Sequence, residues 1–473
     1  MSFNQIVQLI LSTMKKIALM GCAAFLLIMA SCRKEDLAPG PASLKNALQP
    51  DASSNSFKVV GYLPSWAGDV TQVQYSKLTH IIYAFLTPTS TGGYSAIDDP
   101  SKLSSMVSLA HAAGTKAMIS VGGGGGGGGF AGIVASSANI TTFVNNMVSF
   151  TNQYNLDGVD IDWEYPSDGT QADNFLTMMQ QLATAMHNSG KLLSIAVIGE
   201  DGDYVDNGMF STVDFLNIMA YDDNNFLHST FELGTQCIAY WLGRGVPISK
   251  AILGVPFYGH DSSKSDSDPN DEVDYNTIIA DGGNPNLDVS GTIGYNGILT
   301  MKSKTSYAMS NAGGVAIWDL SGDVTGSNSL LTAINQVVLA GGTLSTGAPV
   351  GTTVTFKGFN NLYVSGEDGT KAMTCTRTTP QAWETFLVVD AGYGKVALQS
   401  MNMYVSSEDG VNPITCNRTS YSTWEIFDWI PLSNGQVNLR GTNSLYISSE
   451  DGTKSMTCNR PVASGWEAFG VNQ

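Results

Sequence analysis

The sequence has little charge, and most of the charge that it has is negative. Asp, Glu, Lys and Arg together make up only 14% of the 473 residues, and the formal net charge is −18. Disordered chains combine high charge with low hydrophobicity, so a hydrophobic content of 43% predicts folded domains. An acidic surface repels phosphate backbones, which argues against nucleic acid as a partner, whereas a neutral polymer is not repelled.

Histidine and cysteine are also scarce. The five histidines show no metal-ligand spacing, so we predict neither a metal site nor a cofactor. Three of the six cysteines, Cys375, Cys416 and Cys458, occupy one equivalent position of a repeat and cannot all pair with one another, so no disulfide framework is expected. The glycine run Gly122–Gly129 lacks the Gly-Lys-Ser/Thr of a phosphate loop and predicts a flexible loop instead.

Long apolar runs are missing, apart from one near the N-terminus. Lys15 and Lys16 precede the apolar run Ile17–Ala30, which ends at Ser31 and Cys32. The run is shorter than the roughly 20 residues that span a bilayer comfortably. A positive start, a short apolar run and small residues at its end are typical of a signal peptide.

The end of this segment, Met29–Cys32, resembles a bacterial lipobox, in which the cysteine becomes the lipidated first residue. We therefore predict a signal peptide with lipobox over residues 1–32, lipidation at Cys32 and a flexible tether over residues 33–56. The charged segment Arg33–Asp36 resembles a surface-export signal. It predicts an exported, lipid-anchored outer-membrane or cell-surface lipoprotein of a Gram-negative bacterium. The alternative is an ordinary cleaved signal with an incidental cysteine.

From Phe57 onward, short apolar runs alternate with longer amphipathic stretches. The apolar runs are Lys58–Leu63, Leu78–Leu86, Lys116–Val121, Gly158–Glu164, Leu192–Ile198, Phe215–Tyr221, Ala251–Tyr258 and Gly314–Leu320. Helical patterns between them include Ser101–Ala113, Thr141–Tyr154, Asp173–Asn188 and Phe231–Arg244. Strands that alternate with helices imply a parallel sheet. Eight such units predict an α/β fold, a closed (β/α)8 TIM barrel over residues 57–340.

The C-terminal region contains three repeats. After a Gly-, Ser- and Thr-rich linker over residues 341–352, residues 353–473 repeat one pattern with a period of 41 and then 42 residues. Its landmarks are Tyr363, Tyr404 and Tyr446, the arginines Arg377, Arg418 and Arg460, the tryptophans Trp383, Trp424 and Trp466, and the phenylalanines Phe386, Phe427 and Phe469. Three repeats with Asp-Gly turns indicate a closed threefold all-β domain that resembles a fascin-like β-trefoil.

Two structural expectations follow for these repeats. The recurring Trp and Phe residues are predicted to form the core of the repeats. The Glu-Asp-Gly turns and the recurring arginines are predicted to lock the turns, because a repeat must satisfy its own polar groups. As an appended domain, the region is expected to bind glycan.

An acidic strand, Leu156–Pro166, carries the strongest chemical signal. Strand side chains alternate, so Asp160, Asp162 and Glu164 share one face, which points into the barrel. Three aligned carboxylates repel one another and lose hydration, which is costly unless their pKa values are pushed apart for acid and base roles. Glu164 comes last, at the end of the strand where barrel active sites lie. Asp157 has the opposite parity and is expected to be structural.

The spacing Asp157-x-x-Asp160-x-Asp162-x-Glu164 resembles the signature of glycoside hydrolase family 18, of the chitinase type. Other motifs of that family follow in its order: Ser120–Gly123, Met219–Asp222, Val255–Gly259 and Trp318. The resemblance implies hydrolysis of β-1,4-linked N-acetylglucosamine polymers by a substrate-assisted retaining mechanism, an exception to the usual scheme of two carboxylates.

The resemblance also implies catalytic roles. Glu164 would protonate the glycosidic oxygen and later deprotonate the attacking water. Asp162 would orient the 2-acetamido group of the substrate, Asp160 would hold Asp162, and Tyr221 would hydrogen-bond the acetamido carbonyl.

Further residues are expected to bind substrate. They are Trp318, Asp222, Met219, Tyr62, Phe85, Gly122, Gly123 and Tyr258, with Trp318 as the floor of the reactive subsite. Trp66, after the first strand, is expected to stack on sugar in an outer subsite. The segment His260–Gly313 is shorter than the full insertion of deep-cleft members, which predicts an open groove and endo action.

Three other functions stay open at this point. An endo-β-N-acetylglucosaminidase on N-glycans and a peptidoglycan hydrolase would use the same acid. The third is a catalytically inactive chitinase-like lectin, although such proteins usually lose the acid that Glu164 provides. The expected partner is chitin or another glycan that contains N-acetylglucosamine, and we expect a monomer.

Overall fold

The structure is a computed structural model that describes residues 57–223, 226–265, 268 and 271–472. The predicted signal peptide, Cys32 and the predicted tether lie outside the described residues. Within the described ranges, no helix is both long and apolar enough to cross a membrane.

Eight parallel strands close into a barrel in the order β1-β12-β7-β6-β5-β4-β3-β2. Their bounds are β1 Lys58–Pro64, β2 His80–Leu86, β3 Lys116–Gly122, β4 Gly158–Asp162, β5 Leu192–Ile198, β6 Phe215–Met219, β7 Ala251–Pro256 and β12 Gly314–Trp318. The first and last strands of the barrel pair directly, with Lys58 opposite Gly314. The predicted (β/α)8 barrel is confirmed, and each predicted apolar run overlaps one of these strands.

Helices connect the strands and cover the outside of the barrel. They are α1 Pro100–Ala113, α2 Phe130–Val134, α3 Ser137–Gln153, α4 Gly169–Asn188, α5 Met209–Thr212, α6 Phe231–Gly243, α7 Tyr275–Ala280, α8 Ile298–Asn311 and α9 Leu330–Leu339. Several begin at a capping side chain that accepts a backbone N–H of the first turn, namely Asp99, Ser136, Asp168, Thr230 and Ser329.

The alternation in β4 separates the core from the barrel interior. Val159 and Ile161 are fully buried beneath the helices, and Trp163 follows them there. The Trp163 ring stacks on Phe130 at 5.5 Å and meets the edge of Phe175 at 5.1 Å. The same alternation turns the aspartates of this strand to the inside.

A small antiparallel sheet is inserted between β7 and β12. Its strands are β8 Tyr258–Asp261, β9 Glu272–Asp274, β10 Val289–Ser290 and β11 Ile293–Tyr295, in the order β10-β11-β8-β9. This compact insertion, with α7 beside it, follows directly on β7 and therefore stands at the carboxyl end of the barrel strands.

The C-terminal region is an all-β domain of three repeats. Its 12 strands are β13 Thr353–Lys357, β14 Tyr363–Ser365, β15 Thr374–Arg377, β16 Phe386–Gly392, β17 Lys395–Ser400, β18 Met403–Ser406, β19 Thr415–Arg418, β20 Ile426–Pro431, β21 Gln436–Gly441, β22 Tyr446–Ser448, β23 Thr457–Arg460 and β24 Phe469–Asn472. These strands pair in antiparallel fashion, and equivalent strands begin at equivalent sequence positions in each repeat.

The predicted repeat core is right for phenylalanine and wrong for tryptophan. Phe386, Phe427 and Phe469 are buried at the centre of the domain. Trp424 and Trp466 are each 39% exposed, and Trp383 is partly exposed. The cause is the glutamate that follows each Trp: its buried carboxylate accepts a backbone N–H of the same short turn, from Gln381, Ser422 or Ser464, and the Trp beside it is left at the surface.

The predicted turn locks are present in all three repeats. Arg377 Nη2 donates to both oxygens of Glu367 at 2.6 Å. Arg418 likewise donates to both oxygens of Glu408, and Arg460 donates to Oε1 of Glu450 at 2.6 Å. The repeat cysteines are buried and unpaired, and each thiol donates to a backbone carbonyl thirteen residues earlier, that of Leu362, Met403 or Leu445.

A buried charge cluster joins the all-β domain to the barrel. The Arg440 side chain is 1% exposed, and its Nη1 lies 2.6 Å from Oδ2 of Asp288, in the loop before β10. Its Nη2 donates to Thr300 of α8 at 3.0 Å. On the other side, Arg440 and Lys395 both bind Asp428 of β20, at 2.9 Å and 2.5 Å.

Candidate active site

Asp160 lies at the centre of the barrel interior and is completely buried. Its carboxylate accepts hydrogen bonds from Ser194 at 2.6 Å, Ser120 at 2.8 Å, Tyr62 at 2.9 Å and Asn217 at 3.3 Å. Burial raises the pKa of Asp160, and these four donors oppose the increase. The network fixes the carboxylate in one position.

Asp162 is the next inward residue of β4 and is 5% exposed. Burial, followed by the negative charges of Glu164 and Asp160, raises its pKa well above the usual range. Its Oδ1 atom has no hydrogen-bond partner within the described residues. A buried polar atom without a partner is costly, so Asp162 is placed to bind a polar group that enters the cleft.

Glu164 lies just beyond the end of β4, and its side chain is exposed at the barrel mouth. Partial burial and then the charge of Asp222 raise the pKa of Glu164, while a hydrogen bond with Tyr165 opposes them. The strand ends two residues earlier than predicted, so Glu164 is more accessible than the two aspartates. This is the arrangement that a proton donor to a bound ligand needs.

The first two glycines of the glycine run pack closely against Asp162 and Phe85. A Cβ atom on Gly122, where φ is +114°, would lie 2.0 Å from the Asp162 carbonyl oxygen. A Cβ on Gly123, where φ is +85°, would lie 2.6 Å from the Phe85 ring. The end of the run forms a short 3-10 turn, Gly127–Gly129, that leads into α2. The run therefore borders the cleft, and part of the predicted flexible loop is regular structure.

Aromatic rings form a continuous row from the barrel interior to the surface. Trp318, at the end of β12, stacks on Phe85 at 5.5 Å, and Phe85 stacks on Trp66 at 6.1 Å. Tyr62 meets Trp318 edge-on at 5.6 Å. Trp66 is 66% exposed, so the row ends in an open ring face.

On the opposite side of the barrel interior, β6 leads to Tyr221 and Asp222. Burial, followed by the charge of Asp222, raises the pKa of Tyr221 well above its usual range, so this hydroxyl stays protonated. Met219 is partly buried at the end of the strand. Tyr258 donates to Asp222 Oδ1 at 2.5 Å and lies 6.2 Å from the Tyr221 ring.

The sequence comparison agrees with this geometry. The family model described as "Glycosyl hydrolases family 18" matches residues 58–323, which span the whole barrel and more than half of the chain. The chain belongs to glycoside hydrolase family 18.

Curated relatives with this domain include a "chitinase-like effector" of Moniliophthora roreri, 29% identical over 248 residues, 45% of this chain and 61% of the relative. "Chitotriosidase-1" of Mus musculus is 30% identical over 261 residues, 46% of this chain and 56% of the relative. The chain thus spans less than two thirds of the length of these two relatives. In a solved structure, the "GH18 chitinase ChiB from the chitin utilization locus of Flavobacterium johnsoniae", the identity is 28% and the TM-score 0.54, with 60% of this chain and 94% of that chain covered.

The residues that family 18 membership implies for the site converge on one end of the barrel. Asp157, predicted to be structural, points elsewhere: it accepts the Ala117 N–H at 2.7 Å and pairs with His111 at 2.8 Å. The catalytic and binding roles of the converging residues remain predictions.

Several residues of the site were not predicted. Ser194 and Asn217 complete the Asp160 network, and Tyr165 reaches Glu164. The sequence does contain a signal for the first two, because a lone polar residue interrupts the apolar strands β5 and β6. Nothing in the sequence pairs them with Asp160, since that pairing depends on the register of the strands.

His228 and His260 were also missed, and they meet at Asp222. His260 Nε2 lies 3.1 Å and His228 Nδ1 3.3 Å from the same oxygen, Asp222 Oδ1. Burial alone would raise the pKa of Asp222, but its hydrogen bonds with His228, His260 and Tyr258 hold it below the usual range. Among the described residues, this is the group whose donor atoms could hold a metal ion. The prediction of no metal site overlooked it because the three residues are spread along the chain.

Proposed function

We propose that this chain hydrolyses β-1,4-linked N-acetylglucosamine polymers, such as chitin, with retention of configuration. The observation that carries the proposal is the row of Asp160, Asp162 and Glu164, in which a buried carboxyl with an unpartnered oxygen lies beside an accessible acid. A sugar with a 2-acetamido group supplies both the N–H that this oxygen lacks and the internal nucleophile.

The reaction would begin with proton transfer from Glu164 to the glycosidic oxygen. The bond from C1 to that oxygen breaks, and the acetamido carbonyl oxygen of the same sugar bonds to C1, which forms a cyclic oxazolinium-like intermediate. The ionised Glu164 then takes a proton from water as the water attacks C1 and the ring opens. The products are two sugar chains, and Glu164 is protonated again.

The other residues would hold the acetamido group for this attack. Asp162 would accept its N–H, and Tyr221, whose hydroxyl stays protonated, would donate to its carbonyl oxygen. Asp160 is held in place by four donors, and its negative charge raises the pKa of Asp162. Asp162 is therefore expected to be protonated or to share one proton with Asp160. Trp318 would stack on the apolar face of the sugar, with Asp222, Met219, Tyr62, Phe85, Gly122, Gly123 and Tyr258 around it.

Relatives support chitin as the substrate, and they also raise a second candidate. Relatives named as chitinases come from bacteria, fungi, plants and animals. Two relatives from Moniliophthora are named chitinase-like effectors, so a binding protein without hydrolysis is the alternative of another class. The intact row of Asp160, Asp162 and Glu164 favours hydrolysis.

Product analysis tests the proposal. The wild-type protein and the Glu164→Gln variant are incubated with chitin hexasaccharide and, separately, with a high-mannose glycoprotein. We expect cleavage of the hexasaccharide by the wild type and a loss of at least about 1,000-fold in Glu164→Gln, since the acid is needed in both steps. Asp173→Asn, an exposed carboxyl on α4, is the control.

Two results would contradict the proposal. Full activity of Glu164→Gln would remove this residue from the chemistry. Release of the intact high-mannose glycan, with the hexasaccharide untouched, would instead assign the protein to N-glycans.

A short insertion, β8 to β11, supports endo action on chitin, which early release of trimers and tetramers would reveal.

For the region after the barrel we propose a linker over residues 341–352 and a fascin-like β-trefoil over residues 353–473 that binds glycan. The half-exposed tryptophans Trp383, Trp424 and Trp466 support this role, because each presents a ring at an equivalent surface position. Replacement of all three by Ala in the full chain is expected to reduce binding to insoluble chitin without changing hydrolysis of soluble hexasaccharide. Unchanged binding would contradict the role.

For the N-terminus we propose a signal peptide over residues 1–32, lipidation of Cys32, and display at the cell surface on the tether 33–56. Radiolabelled palmitate is expected to enter the wild-type protein and not the Cys32→Ala variant. Equal labelling of the two would contradict the proposal.

A further inference from the structure

We propose that Asp222, His228 and His260 form a binding site for a divalent transition-metal ion of the zinc type at the rim of the cleft. Binding of the ion rests only on the geometry of these three residues. Its consequence for activity rests on the proposed function, in which Asp222 lines the reactive subsite.

The distances match the edges of a metal coordination sphere. Asp222 Oδ1 lies 3.1 Å from His260 Nε2 and 3.3 Å from His228 Nδ1, and the three donor atoms all lie within 4.8 Å of one another. Tetrahedral Zn²⁺ with bond lengths of about 2.0–2.1 Å has ligand atoms roughly 3.3 Å apart. Two of the three edges therefore have this length already, and the third, between the two imidazole nitrogens, is at most 4.8 Å.

Each imidazole is held from behind by an acceptor on its other nitrogen. His260 Nδ1 is hydrogen-bonded to the carboxylate of Asp271, which itself is mostly buried. His228 Nε2 lies 3.4 Å from the backbone carbonyl oxygen of Tyr258. Metal-binding histidines almost always have such an acceptor behind them, because it fixes the tautomer that turns a lone pair toward the ion.

The contacts of His228 Nδ1 also fit the tautomer in which the proton is on Nε2. The backbone N–H of Asp222 points to His228 Nδ1 at 3.3 Å, which requires a lone pair on this nitrogen. This nitrogen has one lone pair, so an ion bound between Nδ1 and Asp222 Oδ1 would replace the 3.3 Å hydrogen bond from the Asp222 N–H.

The site is also accessible and has an open side. The His228 side chain is 1% exposed, whereas the Asp222 side chain is 50% exposed and that of His260 is 24% exposed. An ion can therefore enter from the cleft and keep one position for water. Two imidazoles and one carboxylate suit Zn²⁺, Ni²⁺ or Cu²⁺, while Mg²⁺ and Ca²⁺ prefer ligand sets of oxygen only.

Occupation of the site would inhibit hydrolysis. A bound ion withdraws Asp222 Oδ1 from the reactive subsite and places a positive charge close to Glu164, whose proton would then be held less tightly. The inhibition would be reversible with a chelator, because the ion takes no part in the reaction itself.

Calorimetric titration of the full chain with ZnCl₂ tests the binding, and Co²⁺ provides an optical probe through its visible absorption bands. We expect one site per chain for both ions. His260→Gln, at a partly exposed position that tolerates an amide, is expected to weaken Zn²⁺ binding at least about tenfold and to abolish the Co²⁺ bands. Asp271→Asn is expected to weaken binding by about 10- to 100-fold, because it loosens the support behind His260.

His187→Gln is the matched control. His187 and Asp214 form a similar surface pair, with His187 Nε2 3.1 Å from Asp214 Oδ2, but none of the other residues that the structure describes adds a third donor group. Its Zn²⁺ binding should equal that of the wild type. The far-ultraviolet circular dichroism of each variant shows whether the fold is intact.

Some results would overturn the proposal. These are the absence of Zn²⁺ binding at 1:1 stoichiometry, or binding that is unchanged in both His260→Gln and Asp271→Asn. The readouts also separate this proposal from the proposed function. A protein that binds Co²⁺ through His260 but cleaves no chitin retains the metal site and loses the hydrolase function. A protein that cleaves chitin but binds no metal retains the hydrolase function and loses the metal site.

Discussion

At the residue scale, the acidic row divides into carboxyls with different surroundings. Asp162 is buried between two other carboxyls, and its pKa lies well above the usual range. Glu164 is exposed at the mouth, and its pKa is raised by partial burial and by Asp222. The accessible group is thus the one that can exchange protons with substrate and water, while the buried one can only exchange them within the row.

The pH dependence of hydrolysis should report on Glu164. As a proton donor it must be protonated, so kcat/KM is expected to fall as the pH rises through its raised pKa. The hydrogen bond with Tyr165 stabilises the ionised form and lowers this pKa. Tyr165→Phe removes that bond and should move the basic limb to higher pH, as pH–rate profiles on soluble hexasaccharide would reveal. A limb that moves to lower pH would contradict the assignment.

Two glycines of one run should differ sharply in their tolerance of a methyl group. Gly122→Ala places a Cβ atom 2.0 Å from the Asp162 carbonyl oxygen in a left-handed conformation. We expect a loss of about 2–4 kcal/mol in the free energy of unfolding, measured with urea, together with reduced activity. Gly128→Ala is the control, because its Cβ would meet nothing within 4 Å, and both properties should be unchanged. Equal stability of the two variants would argue against a required glycine.

At the element scale, the row of aromatic rings links the barrel interior to the surface. Trp66→Ala removes the exposed end of the row and leaves Phe85 and Trp318 stacked. We expect KM for chitin hexasaccharide to rise about fivefold, roughly 1 kcal/mol of lost stacking, with kcat little changed. Phe359→Ala, at an exposed ring in the all-β domain, should have no effect on KM. An equal KM increase for a disaccharide substrate would place Trp66 in an inner subsite instead.

The elements differ in how well the sequence predicted them. The barrel strands were predicted because each buried strand is a short apolar run between helical stretches, and the inward row of β4 followed from alternation alone. The strands of the insertion were not predicted. The strand β10 has only two residues, and β11 pairs with β8, which is more than 30 residues earlier in the sequence. The three tryptophans were assigned to the core because they repeat with the phenylalanines, but the sequence pattern does not indicate that the glutamate between them is the buried residue.

At the scale of the whole molecule, the Arg440 cluster determines how firmly the two domains are joined. Arg440→Ala would leave Asp288 buried without its ion-pair partner and Asp428 with Lys395 alone. We expect a loss of about 3–5 kcal/mol in the free energy of unfolding, measured with urea. Arg418→Ala, which breaks an ion pair at a side chain that is 37% exposed, should cost only about 1 kcal/mol. If both variants lost the same free energy of unfolding, the buried ion pairs of Arg440 would contribute no more to stability than the exposed pair of Arg418.

The parallel strands of the barrel also give the molecule a direction. The chain enters at Lys58, the first residue of β1, whereas Glu164 stands beyond the opposite end of β4. A strand of this length spans roughly 20 Å, so Lys58 and Glu164 are at opposite ends of the barrel. A polymer can therefore reach Glu164 from solvent without passing the end at which the chain enters the barrel.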